Sequence, residues 1–258
     1  MDKAIVWLDQ PGSDDPTLVG GKAMPLGRLW GVHPIPPAFC VTTAAYRRWA
    51  DEAAGAASGP PPALASLVGT AYGVLAARCR SEQPRVAVRS SAVGEDGEGS
   101  SFAGQYTSFL NVVGVEAVVQ AVAACWASAK SPLVEAYRRV RAVGSEEHGL
   151  AVLVQRLVRA DVSCVVFSAN AVTGNRDEIV VNANWGLGES IVSGIATPDT
   201  YVVGRAGLTD AQLAELATLA VTLEQRMGWP VDLECAYEAD ALFLLQCRPI
   251  TSLEARTR

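Results

Sequence analysis

Only two histidines occur in the 258 residues, His33 and His148, and no two cysteines are spaced C-x-x-C. The six cysteines stand singly at 40, 79, 125, 164, 235 and 247, none paired with a nearby histidine. Zinc ligation and a disulfide framework are therefore not expected, and the thiols read as small core hydrophobes in a reducing cytoplasm. The opening MDKAIVWLDQ carries acids and leads into no apolar stretch, so no secretory leader is expected. The longest apolar runs stay short of a membrane span. Lys and Arg number 21 against 27 Asp and Glu, a net charge of −6 with no basic cluster. Nucleic acid is thus not an expected partner. No internal repeat and no long charge run occur either. What is present is a chain that is 50% hydrophobic, with length for one large or two modest domains and a sizeable core.

Local patterns order that length. Pro-rich HPIPPAFCVTT reads as extended, because each proline disfavours the α region at the residue before it. Thr42 or Thr43 then caps a helix to about Ala54. AAGAASGPPPA (53–63) reads as a surface connection, followed by a helix over about 64–80. Val86 to Arg89 and residues 107–113 read as strands, and 115–129 as a helix with Val118, Val119, Val122 and Trp126 on one side. GLAVLVQRLV, SCVVFSAN and DEIVVNANWG are further strands. In LTDAQLAELATLAVTLEQRMG, apolar residues recur at 213, 216, 220, 223 and 227. Thr209 is the expected N-cap, Gln212 its capping-box partner and Gly228 the stop. Strands and helices in this mixed order predict an α+β fold.

The C-terminal VDLECAYEADALFLLQCRP predicts a hairpin. Val231, Leu233, Cys235 and Tyr237 alternate with Asp232, Glu234 and Ala236, and strand side chains switch face at every residue. Matching apolar face to apolar face needs an odd-length loop. A three-residue turn at 239–241, with Asp240 left-handed, puts Glu234 opposite Gln246 and Asp232 opposite Arg248. That polar face reads either as a solvated surface with a cross-strand ion pair or as a platform for Mg²⁺ and phosphate, since Mg²⁺ takes oxygen ligands from one or two side chains plus substrate phosphates. Two other stretches leave similar choices. Gly20-Gly21-Lys22 is a turn before a surface lysine or before a lysine facing phosphate. Arg89-Ser90-Ser91 is a strand end, or an arginine fork beside hydroxyls and N–H groups that also donate to an anion. The small and acidic segment after it, through Asp96, Gly97 and Gly99 to Phe102-Ala103-Gly104, is a surface loop or a lid over an anion.

The stretches VGGKAMPLGRL, IPPAFCVTTAAY, AVRSSAVGEDGEGSSFAGQYTSFLNV, VLVQRLV, VVFSANAVTGN, NANWGLGESIVSGIATPDTYVV and LECAYEADALFLLQCRPIT run in order from about residue 18 to 252. In these the chain resembles the N-terminal ATP-binding (ATP-grasp) domain of the phosphoenolpyruvate synthase, pyruvate phosphate dikinase and rifampicin phosphotransferase family. The resemblance implies a two-lobed clamp with a lobe over 1–148, a second over 149–253 and a tail at 254–258. It implies ATP and Mg²⁺ as cofactors. Lys22 and Arg89 match phosphate-contacting residues, Gly104 and Ser108 positions near the phosphates, and Gln155 a nucleotide contact beside the adenine. Glu234 and Gln246 match the Mg²⁺/phosphate pair, Arg248 the arginine of Q-x-R-P, and Asp232 an acid near the metal.

The family's chemistry delivers the β,γ-diphosphate of ATP to a histidine on a swivelling domain and leaves AMP. Such transfer needs positioning and charge neutralisation more than covalent help. Here Lys22, Arg89 and Arg248 are the expected catalytic cations. Neither His33 nor His148 lies in a Gly-rich, Thr/Ser-flanked setting, so neither is the expected carrier. The expected reading is a cytoplasmic, stand-alone ATP-binding subunit that phosphorylates a histidine on a partner chain, with an acceptor-binding protein beyond it and no membrane partner. The alternatives are an ATP-grasp kinase or ligase acting directly on a small molecule, and a degenerate nucleotide-binding regulatory module. The segment between Val203 and Leu208 is also shorter than the family pattern, which removes a hairpin or flap.

Overall fold

The computed structural model describes residues 3–55, 60–94, 107–128, 149–188, 197–204, 211–251 and 253. The chain divides into two compact units, residues 1–32 with 36–157 and residues 33–35 with 158–258.

The first unit is built on five antiparallel strands: β1 (Ile5–Trp7), β2 (Ala38–Val41), β3 (Val86–Ala92), β4 (Ser108–Val112) and β5 (Leu150–Arg156), in the order β1-β2-β5-β3-β4. The expected boundary at residue 148 therefore moves to between Leu157 and Val158. VLVQR, far along the chain, fills the slot between β2 and β3, so its ladder bonds belong to the first sheet. Central position also explains the unbroken apolar run Leu150–Val154 of β5, since both faces are covered. One face presents Phe39, Val41, Val86, Val88, Val152 and Val154 to a core completed by α2 (Thr43–Gly55), α3 (Pro62–Cys79) and α4 (Val115–Ser128). Helix α1 (Pro16–Leu29) packs on β3 and β5, with Ser91 of β3 bonded into it. Thr42 is the residue that caps α2, its Oγ accepting from Ala45 N at 3.3 Å. Helix α3 is long and apolar enough to cross a membrane by length and composition, yet Leu64, Val68, Ala71, Tyr72 and Leu75 are buried in this core.

The second unit has strands β6 (Val162–Phe167), β7 (Glu178–Trp185), β8 (Asp199–Gly204), β9 (Val231–Glu238) and β10 (Ala241–Pro249), ordered β10-β9-β6-β7-β8 and again antiparallel. Helix α5 (Ala211–Met227) buries Leu216, Ala220, Leu223 and Met227 and packs on β6, β7 and β9. Gly228 ends it with φ 82° and an N–H bond to Glu224 O at 2.9 Å, the expected stop. Thr209, the expected cap, lies outside the described residues.

The hairpin β9–β10 reaches the predicted pairing by a different route. Its turn is two residues long, Ala239 and Asp240, both left-handed at φ 49° and 62°. That geometry matches the twist of the flanking strands. A register shift between Leu244 and Gln246 then adds one residue, Leu245, to β10. Turn and bulge together give the same count as a three-residue loop, so Glu234 stands opposite Gln246 and Asp232 opposite Arg248. Before the bulge the faces are reversed from the expected ones. Leu244 pairs with Cys235 and is buried, while Phe243 pairs with Ala236.

Candidate functional site

The Gly-Gly-Lys stretch is a kink inside a helix. Gly20, at φ 75° and ψ 176°, breaks α1, and the helix resumes at Lys22. A resumed helix has backbone N–H groups without intrahelical partners. Ser91 supplies the acceptor from across the sheet: its Oγ accepts from Lys22 N at 3.1 Å and Ala23 N at 3.2 Å, and donates to Val19 O at 2.7 Å. Position 20 has to be glycine, because a Cβ there would lie 2.0 Å from Ser91 O. Ser90 is likewise bound to backbone, its Oγ donating to Thr107 O at 3.1 Å. Both serines of R-S-S thus hold the scaffold, and of the two readings of this stretch their hydroxyls follow the strand-end one. This role was hidden in the sequence, since Ser91 acts on residues about 70 positions earlier.

The scaffold fixes four of the candidate residues on the first unit. Lys22 is half-buried, and its Nζ donates to Ser90 O at 3.2 Å, next to Arg89. Arg89 pairs directly with the exposed Ser108 across β3–β4. Gln155 of β5 pairs with Ala87 of β3, two residues from Arg89 and so on the same face. Gln155 therefore joins Lys22, Arg89 and Ser108 in the first unit, not the hairpin group in the second. It is 2% exposed, and its Nε2 has no hydrogen-bond partner among the described residues. A buried amide donor in that state costs stability unless a ligand completes it. Gly104 and the rest of the expected lid, 95–106, lie outside the described residues.

The second unit groups the other four. Glu234 is half-buried and opposite the buried Gln246, and Asp232, 6% exposed, accepts from Arg248 Nε at 2.7 Å. Directly opposed side chains have Cβ atoms about 5 Å apart, so Glu234 and Gln246 offer two hard oxygens to one small cation. Phe167 of β6 stands opposite Asp232 on its other side, and Val165 opposite Glu234. Among the described residues no group of three or more His, Cys, Asp or Glu side chains converges on a metal position. Two oxygen donors beside a cation suit Mg²⁺, which keeps waters and phosphate oxygens in its shell. The residues present therefore fit both groups: Lys22, Arg89, Ser108 and Gln155 suit the phosphates and base of a nucleotide, and Glu234 and Gln246 suit Mg²⁺.

His33 is not exposed as a carrier would be. Its Nε2 is buried without a hydrogen-bond partner among the described residues. Burial, and secondarily the nearby Arg226, hold its pKa below the usual histidine value. His148 lies outside the described residues. The cysteines are free thiols with no paired sulfur, and burial pushes Cys164 up to about 11 and Cys125 up to about 12.

The family model described as pyruvate phosphate dikinase, AMP/ATP-binding domain, matches residues 56–207 and 204–258. Its two pieces overlap at 204–207, within the stretch expected to be shorter than the family pattern. A probable phosphoenolpyruvate synthase of Methanocaldococcus jannaschii is 33% identical over 98% of this chain and 27% of its own length. The phosphoenolpyruvate synthase of Aeropyrum pernix is 39% identical over 80% of this chain and 29% of its own. The prodigiosin synthesizing transferase PigC of Serratia marcescens is 34% identical over 96% and 33%. The chain spans less than half the length of each of these relatives. With the matched family model, these identities show that the chain belongs to the pyruvate phosphate dikinase AMP/ATP-binding family, as an α+β ATP-grasp domain of the phosphoenolpyruvate synthase kind.

Proposed function

We propose that this chain is the ATP-binding subunit of a dikinase-type phosphotransferase, which uses Mg·ATP to phosphorylate a histidine on a separate partner chain and releases AMP and phosphate. The observation that carries the reading is the pairing in the β9–β10 hairpin, Glu234 with Gln246 and Asp232 with Arg248. It joins a metal-binding oxygen pair to a phosphate-binding arginine on one face. Lys22 and Arg89 bring two further cations, fixed by the α1 kink and the β3 ladder. Lys22, Arg89 and Arg248 neutralise the phosphates, Ser108 donates to them, and Gln155 Nε2 finds its acceptor on the base. A bound Mg²⁺ supplies Lewis-acid charge compensation on the phosphate oxygens. The phosphoryl acceptor lies outside these 258 residues, because His33 is buried at Nε2 and His148 lacks the sequence setting. The β,γ-diphosphoryl group passes to the histidine of the partner chain with AMP as the leaving group, water then takes the γ-phosphoryl group as phosphate, and the phospho-histidine carries the β-phosphoryl group onward to an acceptor-binding protein. That relatives sharing this domain are named for different products supports an acceptor chosen outside these 258 residues.

Product analysis tests the reading. The pure chain is expected to bind Mg·ATP and form little AMP. A candidate histidine-domain protein should raise AMP and phosphate together. ADP as the product would instead favour direct kinase or ligase chemistry on a small molecule. Nucleotide binding without turnover, whatever partner or small molecule is added, would leave a degenerate nucleotide-binding regulatory module.

A further inference from the structure

We propose that Asp232 is a positioning residue for Arg248 and not a ligand of the metal, an inference that rests on the nucleotide-binding reading above. The two acids of the hairpin lie on one face, two residues apart, and have opposite surroundings. Glu234 is half-buried and faces a neutral amide, Gln246. Asp232 is 6% exposed; its Oδ2 is held at 2.7 Å by the Nε of a guanidinium, while its Oδ1 is buried with no hydrogen-bond partner among the described residues. Its neighbour on the other strand is Phe167, which offers no polar atom from its side chain. A divalent ion on the Asp232 carboxylate would sit within a few ångströms of a fixed positive charge, an arrangement like charges oppose. Across the ladders Glu234 faces Gln246 and Val165, both uncharged.

The contact also has the right form for positioning. A guanidinium has five donors in a rigid plane. A carboxylate gripping the Nε edge restrains that plane and the torsions of a long stem, so the fork meets a phosphate with less ordering left to do. The hairpin thus divides its work by charge: the acid–amide row takes the metal, and the acid–base row sets the arginine.

ATP affinity measured by calorimetry, once with saturating Mg²⁺ and once in EDTA, separates the two roles. The ratio of the two affinities is the metal's contribution. Asp232→Asn should weaken ATP binding about tenfold, the scale of one charged hydrogen bond, by the same factor in both media. The metal ratio should stay within about twofold of wild type. Arg248→Lys should do the same, and the double variant should be no weaker than the worse single change, the signature of one shared interaction. Glu234→Gln should reduce the metal ratio and leave binding in EDTA nearly unchanged. The proposal is overturned if Asp232→Asn reduces the metal ratio as Glu234→Gln does, or if a folded Asp232→Asn protein binds ATP normally. Should Asp232→Asn fail to fold, Asp232→Glu decides by the same comparison, since it keeps the charge and shifts the grip. Absence of ATP binding by the wild type would remove the functional reading and this proposal together. A normal wild type with a metal-dependent Glu234→Gln defect isolates the Asp232 assignment.

Discussion

Replacing Ser91 by alanine is the sharpest test of how this domain holds Lys22. The hydroxyl makes three bonds, accepting from Lys22 N and Ala23 N and donating to Val19 O. Ser91 itself is 0% exposed, so water is a poor substitute at its position. Each buried polar group left without a partner costs about 1–3 kcal/mol. Partial relaxation around the half-buried Lys22 brings the total to about 3 kcal/mol. Ser90→Ala is the control: that residue is equally buried, but among the described residues its side chain makes one hydrogen bond, to Thr107 O at 3.1 Å. It should cost about 1 kcal/mol. For a protein of this size, a loss of about 3 kcal/mol lowers the melting temperature by roughly 6–12 °C. The N-terminus of the resumed helix also carries the Lys22 side chain, so Mg·ATP affinity should fall about tenfold in a Ser91→Ala protein that is still folded. Urea unfolding, read by tryptophan fluorescence, and calorimetry with Mg·ATP measure both effects. Stability within about 0.5 kcal/mol of wild type, with unchanged affinity, would refute the account of the kink as a serine-capped junction.

Gln155→Leu should separate stability from binding: removing an amide donor that has no partner among the described residues leaves the melting temperature unchanged or slightly higher, while ATP affinity falls. A parallel loss of both would mark Gln155 as structural. Alkaline pH should weaken the fold, because burial raises Cys164 to about 11 and Cys125 to about 12. These thiols stay protonated in the fold where an unfolded chain ionises, so their contribution is complete below about pH 9 and is lost as pH rises through 11–12, at about 1.4 kcal/mol per pH unit per thiol. Tyr237, raised by burial and by its hydrogen bond to Glu215, adds in the same direction at higher pH. The urea midpoint should therefore fall between pH 8.5 and 10.5, less steeply in Cys164→Val; equal slopes in the two proteins would contradict the assignment.

Periodic signals were legible in the chain and long-range ones were not. Helices α3, α4 and α5 could be read because burial of one side imposes a local repeat. The pairing of Glu234 with Gln246 and Asp232 with Arg248 could also be read, since apolar faces must match across a hairpin. The path to it could not: a two-residue turn plus the Leu245 bulge and a three-residue loop leave the same register beyond the bulge. Ala239 gives no hint of a left-handed position. What holds it is Asp161, whose Oδ2 accepts from Ala239 N at 2.9 Å, 78 residues earlier in the chain.

The same distance in sequence hid the two features that shape the phosphate side. VLVQR is a plausible strand of either unit, because an apolar run records burial and not the identity of its neighbours. Only its ladders to Ala38–Val41 and Val86–Ala92 assign it to the first sheet and bring Gln155 onto the face of Arg89. Arg-Ser-Ser likewise looks like three donors for one anion. Alternation turns Ser90 away from Arg89, and its hydroxyl bonds to the Thr107 backbone; Ser91 shares the face of Arg89, Gln155 and Ser108 but is taken up by α1. In this motif the two hydroxyls belong to the frame, and the proposed reading leaves Arg89 for the ligand. The frame accounts for the glycine at 20 as directly as for the serine at 91, since the carbonyl of Ser91 occupies the space a Cβ would need. Substitutions in either should therefore appear first as defects in Lys22 placement, and only through that as defects in chemistry.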